Sequence, residues 1–507
     1  MPAGAASIPR RAGAAAALRE PHVRWLLAIT AAAAALRFAV LDASSYWLDE
    51  AFTILIVKAP FGHALELIPE TESTPPLYYV LAWGWAKVFG TGEMGVRSLS
   101  ALCGIATVPF GAAAAARLVD RRTGVIAAAF LAFNPFLVWF AQEARAYALM
   151  VLLCTIAFYF FVVWLDERRT STLAAWGIVS ALALATHYYA ALMIAAQLGW
   201  MLFAAPHARR RVALAALPIF AAGAALVPLA VAQSSNRLAV PLAEESSTVL
   251  RTLQVPKQFA VGFDAPAENA LAVVCLALAL AGVALLVLRP AVERDRLAPA
   301  AVAGIATLVV PFLLALAGFD YVSARYEVAG LVPLAICLAA GCAAPRARRV
   351  GPAVAAALCL LWVGVVVADA ADPLLQTRAD WRGAAEAVGP VPPGGRALVV
   401  TPAAAGRKPL QVYLPDAALL KQDGVPVREV VMLSVRSSEK EKLATKAQPP
   451  GSAPGFLPPG FAEVQRTRTR TYALIRYRAP APMPVFLGGL SGGRLDPLPF
   501  VALIQRR

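Results

Sequence analysis

The chain has 507 residues, 59% of them hydrophobic and only 15% charged, with a mean hydropathy of +0.64. Soluble domains carry roughly 25% charged residues, so this composition excludes a water-soluble globular protein and points to a polytopic membrane protein. The net charge of +15 raises nucleic acid as a partner, but the Lys and Arg residues lie in short clusters between apolar runs, as in cytoplasmic loops of membrane proteins.

Residues 1–23 hold Arg10, Arg11 and Arg19 and are expected to form a cytoplasmic segment ahead of an uncleaved first span at 24–41. Further spans are expected at 96–117, 123–141 and 146–165, twice within 172–204, and then at 212–232, 268–288, 298–318, 327–344 and 351–368, eleven crossings in all. The basic clusters at 117–122, 166–169, 207–211, 289–296 and 346–349 set the orientation. If all are cytoplasmic, neighbouring clusters must be separated by an even number of crossings. Residues 42–95 are then the first external loop, and 76–89 form a helix in the outer interface, where Trp83, Trp85 and the tyrosines suit headgroup depth. After residue 369 the apolar runs shorten and strand-like pieces appear at 397–400, 430–433 and 472–475, with a helix opening at Asp380-Trp381-Arg382. The expected fold class is an all-α polytopic membrane bundle over 24–369, followed by a small extracytoplasmic α/β domain over 370–507. That domain carries 19 Lys and Arg against 10 Asp and Glu, a basic surface suited to anionic lipid, to an acidic acceptor or simply to solvent. All six cysteines fall inside apolar spans, so neither a disulfide framework nor a Cys/His zinc site is indicated.

On this topology the polar motifs gather at the outer mouth of the bundle. Asp49 and Glu50 stand at the end of the first span, where ionisable groups are costly to place and mark function. Glycosyl transfer to a hydroxyl needs a carboxylate to take the acceptor proton, which makes this pair the catalytic candidate; a helix cap or surface pair is the structural alternative. Arg145, Tyr147, Arg325, Tyr326 and, inside the first span, Arg37 are candidates for holding a donor phosphate, since guanidinium forks match phosphate oxygens. Tyr78, Tyr79, His187 and Tyr188 are candidates for contacting sugar or acceptor. Glu143 is the best second carboxylate to share a divalent metal ion with Asp49, because hard cations take oxygen ligands.

Five stretches in order carry a resemblance: Trp47-Leu48-Asp49-Glu50, Thr74-Pro75-Pro76-Leu77-Tyr78-Tyr79, Ala141-Gln142-Glu143-Ala144-Arg145-Ala146-Tyr147, Thr186-His187-Tyr188-Tyr189 and Ala324-Arg325-Tyr326. Over about residues 24–345 the chain resembles bacterial GT-C superfamily glycosyltransferases related to protein O-mannosyltransferases and lipid A aminoarabinose transferases. The resemblance implies inverting transfer from a polyprenyl-phosphate sugar to a hydroxyl of a cell-envelope lipid, glycan or protein, on the outer face of the bacterial cytoplasmic membrane. Asp49 would be the catalytic acidic residue. Two departures matter. Relatives often carry aspartate where Glu143 stands, which opens the question of metal use. The Glu-Lys-Pro of aminoarabinose transferases lacks its lysine near Ser73-Thr74-Pro75, so lipid A is not the favoured acceptor. The competing class is a transporter or flippase of a lipid-linked sugar, for which charges near the bilayer midplane and repeated halves would be the signature. The motifs at one face and the absence of an internal repeat favour the transferase.

Overall fold

The computed structural model describes residues 20–234, 247–263, 265–371, 379–435, 459–490 and 500–506. Residues 1–19 of the N-terminal segment, and 235–246 and 264 of the expected external loop 233–264, therefore lie outside the described residues. Among these residues, seven helices are long and apolar enough to cross a membrane: Glu93–Leu118, Tyr147–Glu167, Pro206–Ser234, Glu268–Leu288, Ala291–Leu316, Ala324–Cys342 and Val350–Ala371. An eighth is the pair Arg121–Phe133 and Pro135–Ala141, bent by 59°. The expected count of eleven is not reached by length and composition. The first helix, Pro21–Phe38, falls outside that set, and Thr170–Thr186 and Ala190–Ala204 are apolar but short. At 1.5 Å per residue the two short helices measure roughly 26 and 23 Å against a hydrocarbon core of about 30 Å.

The bend at 134 breaks what the apolar run presents as one span. Pro135 has no N–H to give and disfavours the α region for the residue before it, and Asn134 sits at ψ 123°. The Asn134 side chain caps the second piece, accepting from the Leu137 N–H at 3.1 Å, and donates to the Phe259 carbonyl at 2.8 Å. Elsewhere small residues let helices close up. A Cβ added at Gly177 would collide with the Ala215 carbonyl, and one added at Gly341 with the carbonyl of Gly282.

Residues 42–95, read from the sequence as a loop with one helix, contain three: Leu48–Lys58, Phe61–Thr71 and Leu77–Phe89. The first two escape notice because β-branched and aromatic residues lower helix propensity, while packing decides the outcome. Ile54, Ile56, Val57, Ala64 and Ile68 bury against Tyr46, Tyr78, Tyr79 and Ala82 in one core. Gly90, at φ 82°, ends the third helix in a conformation that few other residues adopt.

The C-terminal domain is a six-stranded sheet with strand order β2-β6-β1-β3-β5-β4. Its strands are β1 (Arg396–Thr401), β2 (Ala418–Leu419), β3 (Val425–Val435), β4 (Ala462–Arg468), β5 (Tyr472–Val485) and β6 (Val501–Gln505). β1 and β3 run parallel, and every other pairing is antiparallel. The three strand-like pieces of the sequence lie inside β1 and β3 and at the start of β5. Helices Trp381–Val388 and Ala403–Tyr413 cover one face, burying Trp381, Ala384 and Leu410 on Leu398, Val400, Val431, Leu433 and Leu474. The second helix also reaches the bundle: Val412 and Tyr413 pack on the core formed by residues 46–86.

Candidate active site

Two buried ion pairs form the frame of the site. Glu50, in the first turn of the Leu48–Lys58 helix, and Arg97, in the Glu93–Leu118 helix, are both wholly inaccessible. Glu50 Oε1 accepts from Arg97 Nε at 2.7 Å and from the Ala144 N–H at 2.8 Å; its Oε2 accepts from Arg97 Nη2 at 2.6 Å. Arg97 also donates to the carbonyls of Leu41 and Ser44 at 2.7 Å and of Ser45 at 3.0 Å. A carboxylate saturated in this way fixes the loop. Glu50, expected as part of the catalytic pair, is wholly buried and held by a bidentate arginine.

The second pair joins Glu72 and Arg145. Arg145 Nη1 donates to Glu72 Oε1 at 2.7 Å and to the backbone carbonyl of Asp49 at 3.0 Å, and its guanidinium lies 5.9 Å from the Tyr79 ring centre. The Tyr79 hydroxyl donates to Glu72 Oε2 at 2.7 Å and shares a 2.8 Å hydrogen bond with Thr74. Burial pushes the Glu72 carboxyl above the usual carboxylate range, opposed by the charge and hydrogen bond of Arg145. Tyr78 is buried on Ser100 at 3.1 Å. Arg145, Tyr78 and Tyr79, expected to meet phosphate or sugar, are buried and hydrogen-bonded within the protein. So is Arg37, which donates to the carbonyls of Ala33, Ala132 and Leu131 at 3.2, 2.9 and 3.1 Å. An arginine in an apolar span satisfies backbone acceptors when no anion is in reach.

Asp49, one residue before Glu50, is arranged differently. Its Oδ2 accepts from Arg325 Nη1 at 3.4 Å, and the two side chains are 26% and 33% accessible. Arg325 has Tyr147, Tyr326, Asp49 and Glu143 as its electrostatic neighbours. Residues from positions 49, 143, 147, 325 and 326 thus meet at one place, and the pair at its centre is loose and open. An aromatic wall adjoins it, with His187 5.6 Å from both the Tyr147 and Tyr326 ring centres and Tyr189 5.0 Å from that of Tyr326. Burial, helped by the charge of Arg145, pushes the His187 pKa down to about 3, so the imidazole is neutral. Its Nε2 is buried and makes no hydrogen bond among the described residues. Tyr188 turns away from this wall: its hydroxyl donates to Gln233 Oε1 at 2.8 Å, and Gln233 Nε2 donates to the Thr74 carbonyl at 3.0 Å.

Asp49 and Glu143 were the candidate metal ligands. Glu143 is buried, and no group of three His, Cys, Asp or Glu side chains that could hold a metal gathers among the described residues. The Arg325 guanidinium lies 3.4 Å from Asp49 Oδ2.

Arg97, Glu72 and Gln233 are the framework residues that sequence reasoning missed. Arg97 left a faint signal, a lone cation just inside an apolar run. Glu72 left another, a carboxylate directly ahead of Ser73-Thr74-Pro75.

Residues 73–233 match the sequence family described as dolichyl-phosphate-mannose-protein mannosyltransferase. No curated protein matches by sequence. Among solved structures, ArnT from Cupriavidus metallidurans in the apo state superimposes with a TM-score of 0.55 at 14% identity, covering 90% of this chain and 98% of that one. ArnT bound to undecaprenyl phosphate gives 0.54 at 14% identity, covering 89% and 98%. The archaeal oligosaccharyltransferase AglB from Archaeoglobus fulgidus, in complex with an inhibitory peptide and a dolichol-phosphate, gives 0.43 at 14% identity, covering 69% and 56%.

Proposed function

From a chain whose fold is that of the GT-C membrane glycosyltransferases, we propose an inverting enzyme that moves a sugar from a polyprenyl-phosphate-sugar donor to a hydroxyl of a cell-envelope lipid, glycan or protein. The observation that carries this reading is the open Asp49–Arg325 pair beside an aromatic wall, next to two acid–arginine pairs, Glu50–Arg97 and Glu72–Arg145, that are closed. In the proposed reaction Asp49 takes the proton of the acceptor hydroxyl as its oxygen attacks the anomeric carbon. The bond from that carbon to the phosphate oxygen breaks, and the polyprenyl phosphate departs with the electron pair. Arg325 moves from the carboxylate to the phosphate and meets the charge that develops there. Tyr147, Tyr326 and neutral His187 give the sugar an aromatic face and an imidazole nitrogen without a partner among the described residues. The site faces the extracytoplasmic side of a bacterial cytoplasmic membrane, the side on which the positive-inside rule puts Asp49.

The test is transfer from radiolabelled polyprenyl-phosphate sugars into a membrane extract by the purified protein, with wild type and Asp49→Asn side by side. Label should move with wild type, and the variant should lose at least about a hundredfold, the lower end of what a positioned base contributes. Equal rates would remove Asp49 as the base; a wild type that consumes no donor would remove the reaction.

A further inference from the structure

The segment that carries Asp49 is gripped from two sides, and only one of them is the membrane bundle. On the bundle side Arg97 holds the carbonyls of Leu41, Ser44 and Ser45. On the other side the grip comes from residues more than three hundred positions later. The Tyr413 hydroxyl accepts from the Tyr46 backbone N–H at 2.8 Å and donates to Glu93 Oε1 at 2.6 Å. Arg382 Nη1 donates to the same Glu93 oxygen at 3.2 Å, Arg382 Nη2 to the Asp42 carbonyl at 2.9 Å, and the Arg382 backbone N–H to Ser45 Oγ at 2.9 Å. The Tyr413 ring stacks on Tyr46 with centroids 6.4 Å apart, and the Arg97 guanidinium lies over the Tyr46 ring, 5.1 Å from its centre.

We propose that the C-terminal domain is a working part of the catalytic site, with Tyr413 the positioning residue that sets the Asp49 segment. The proposal rests on Asp49 being the base, as above. Glu93 and Arg97 stand one turn apart on the same helix. Glu93 receives Tyr413 and Arg382, while Arg97 receives Glu50 and the loop carbonyls. The segment 42–50 is therefore clamped between that helix turn and the soluble domain. Tyr46 N–H is the last backbone donor before the helix that begins at Leu48 to be held by a side chain of the C-terminal domain. It lies three residues before the reacting carboxylate. Removing this hydrogen bond leaves Arg382 holding Asp42 and Ser45 but frees the Tyr46 amide, the domain's grip nearest Asp49, and displacement of a reacting group by about 1 Å can cost up to a hundredfold in rate. Both partners of the Tyr413 hydroxyl belong to the bundle, and burial beside Glu93 raises its pKa above the ordinary phenol value. It therefore stays a neutral donor at working pH.

The experiment uses the full-length protein in detergent or nanodiscs, comparing wild type, Tyr413→Phe and Lys58→Met. Lys58 serves as control, because its amine reaches the same domain at the Val412 carbonyl, 3.4 Å away, from the far end of the Leu48–Lys58 helix. Hydrogen exchange of peptides covering residues 42–58 and the steady-state constants are both measured. Tyr413→Phe should speed exchange at the Tyr46 amide about tenfold or more and lower kcat about tenfold, with donor KM within twofold; Lys58→Met should change none of these. Unchanged exchange, or faster exchange with unchanged kcat, would overturn the proposal. So would equal effects from Lys58→Met, which would reduce the domain to a docked support. If wild type transfers nothing, the reaction assignment fails, while the exchange arm still decides whether Tyr413 holds the loop.

Discussion

Asp49 and Glu50 are consecutive carboxylates in the first turn of one helix, and their surroundings are opposite. Glu50 is sealed in a bidentate pair with Arg97 and has a backbone N–H besides; Asp49 shares a single 3.4 Å contact with Arg325 and remains a quarter accessible. A buried acid that is fully hydrogen-bonded contributes architecture, whereas a partly exposed acid with one weak partner can exchange that partner for a substrate. The same contrast separates Arg145, closed on Glu72, from Arg325. Frame and reaction centre are thus built from neighbouring residues of the same motifs, and the distinction lies in the partner that each finds elsewhere in the chain.

The sharpest way to break the comparison is to open the closed pair. Glu50→Gln should cost about 3–5 kcal/mol, the range for leaving one partner of a buried pair uncompensated. Its readout is thermal unfolding in detergent, where Glu50→Gln should melt well below Asp49→Asn. Combining it with Arg97→Met should recover part of the loss, because the stranded cation is gone. If Glu50→Gln melts like wild type and loses transfer only, Glu50 belongs to the reaction after all.

The Glu72–Arg145 pair allows a pH test of the frame. Burial raises the folded-state pKa of Glu72, so the native state keeps its proton to higher pH than the unfolded chain. Its contribution is complete below the unfolded value, near 4.5, and declines as pH rises from there through the folded pKa. Glu72→Gln should flatten the decline in thermal midpoint over that window, and an unaltered pH profile would mean that Arg145 holds the carboxylate charged.

On the open side, Arg325→Lys keeps the charge and loses the planar fork. It should reduce kcat about tenfold, and Arg325→Met about a hundredfold, with little change in melting for either. Comparable melting losses in both variants would move Arg325 into the frame.

How much of this could be read beforehand follows from the range of the interactions. The gathering of the five motifs was legible, because each is a short polar interruption of an apolar run and topology sends them to one end. The C-terminal strands β1, β3 and β5 were legible from their apolar runs, whereas β4 is exposed nearly throughout and gave no alternation. The partition of roles was not legible. Glu50 differs from Asp49 only because Arg97 lies behind it, 47 positions along the chain, and nothing local encodes that meeting. The helices at 48–58 and 61–71 were hidden for a related reason: they are held by packing on Tyr46, Tyr78 and Tyr79 more than by propensity. Residues that satisfy buried partners and residues that await a ligand have the same composition, and only long-range contacts separate them.

The smallest expected effect tests that last point. Tyr78 and Tyr79 stand together in the Pro76-Leu77-Tyr78-Tyr79 motif and were expected to touch the substrate, yet both rings are fully buried. Tyr78 makes one neutral hydrogen bond, 3.1 Å to the Ser100 hydroxyl, whereas Tyr79 donates to a buried carboxylate. Tyr78→Phe keeps the ring and removes the neutral bond, so it should cost about 1 kcal/mol in unfolding and leave kcat and both KM values within twofold. Tyr79→Phe, which strips a charge-assisted partner from Glu72, should cost more, about 1.5–3 kcal/mol. If Tyr78→Phe instead raises the acceptor KM while melting normally, the boundary between frame and reaction centre has been drawn one helix turn too tightly. The acceptor would then enter beneath the Leu77–Phe89 helix and not along the aromatic wall.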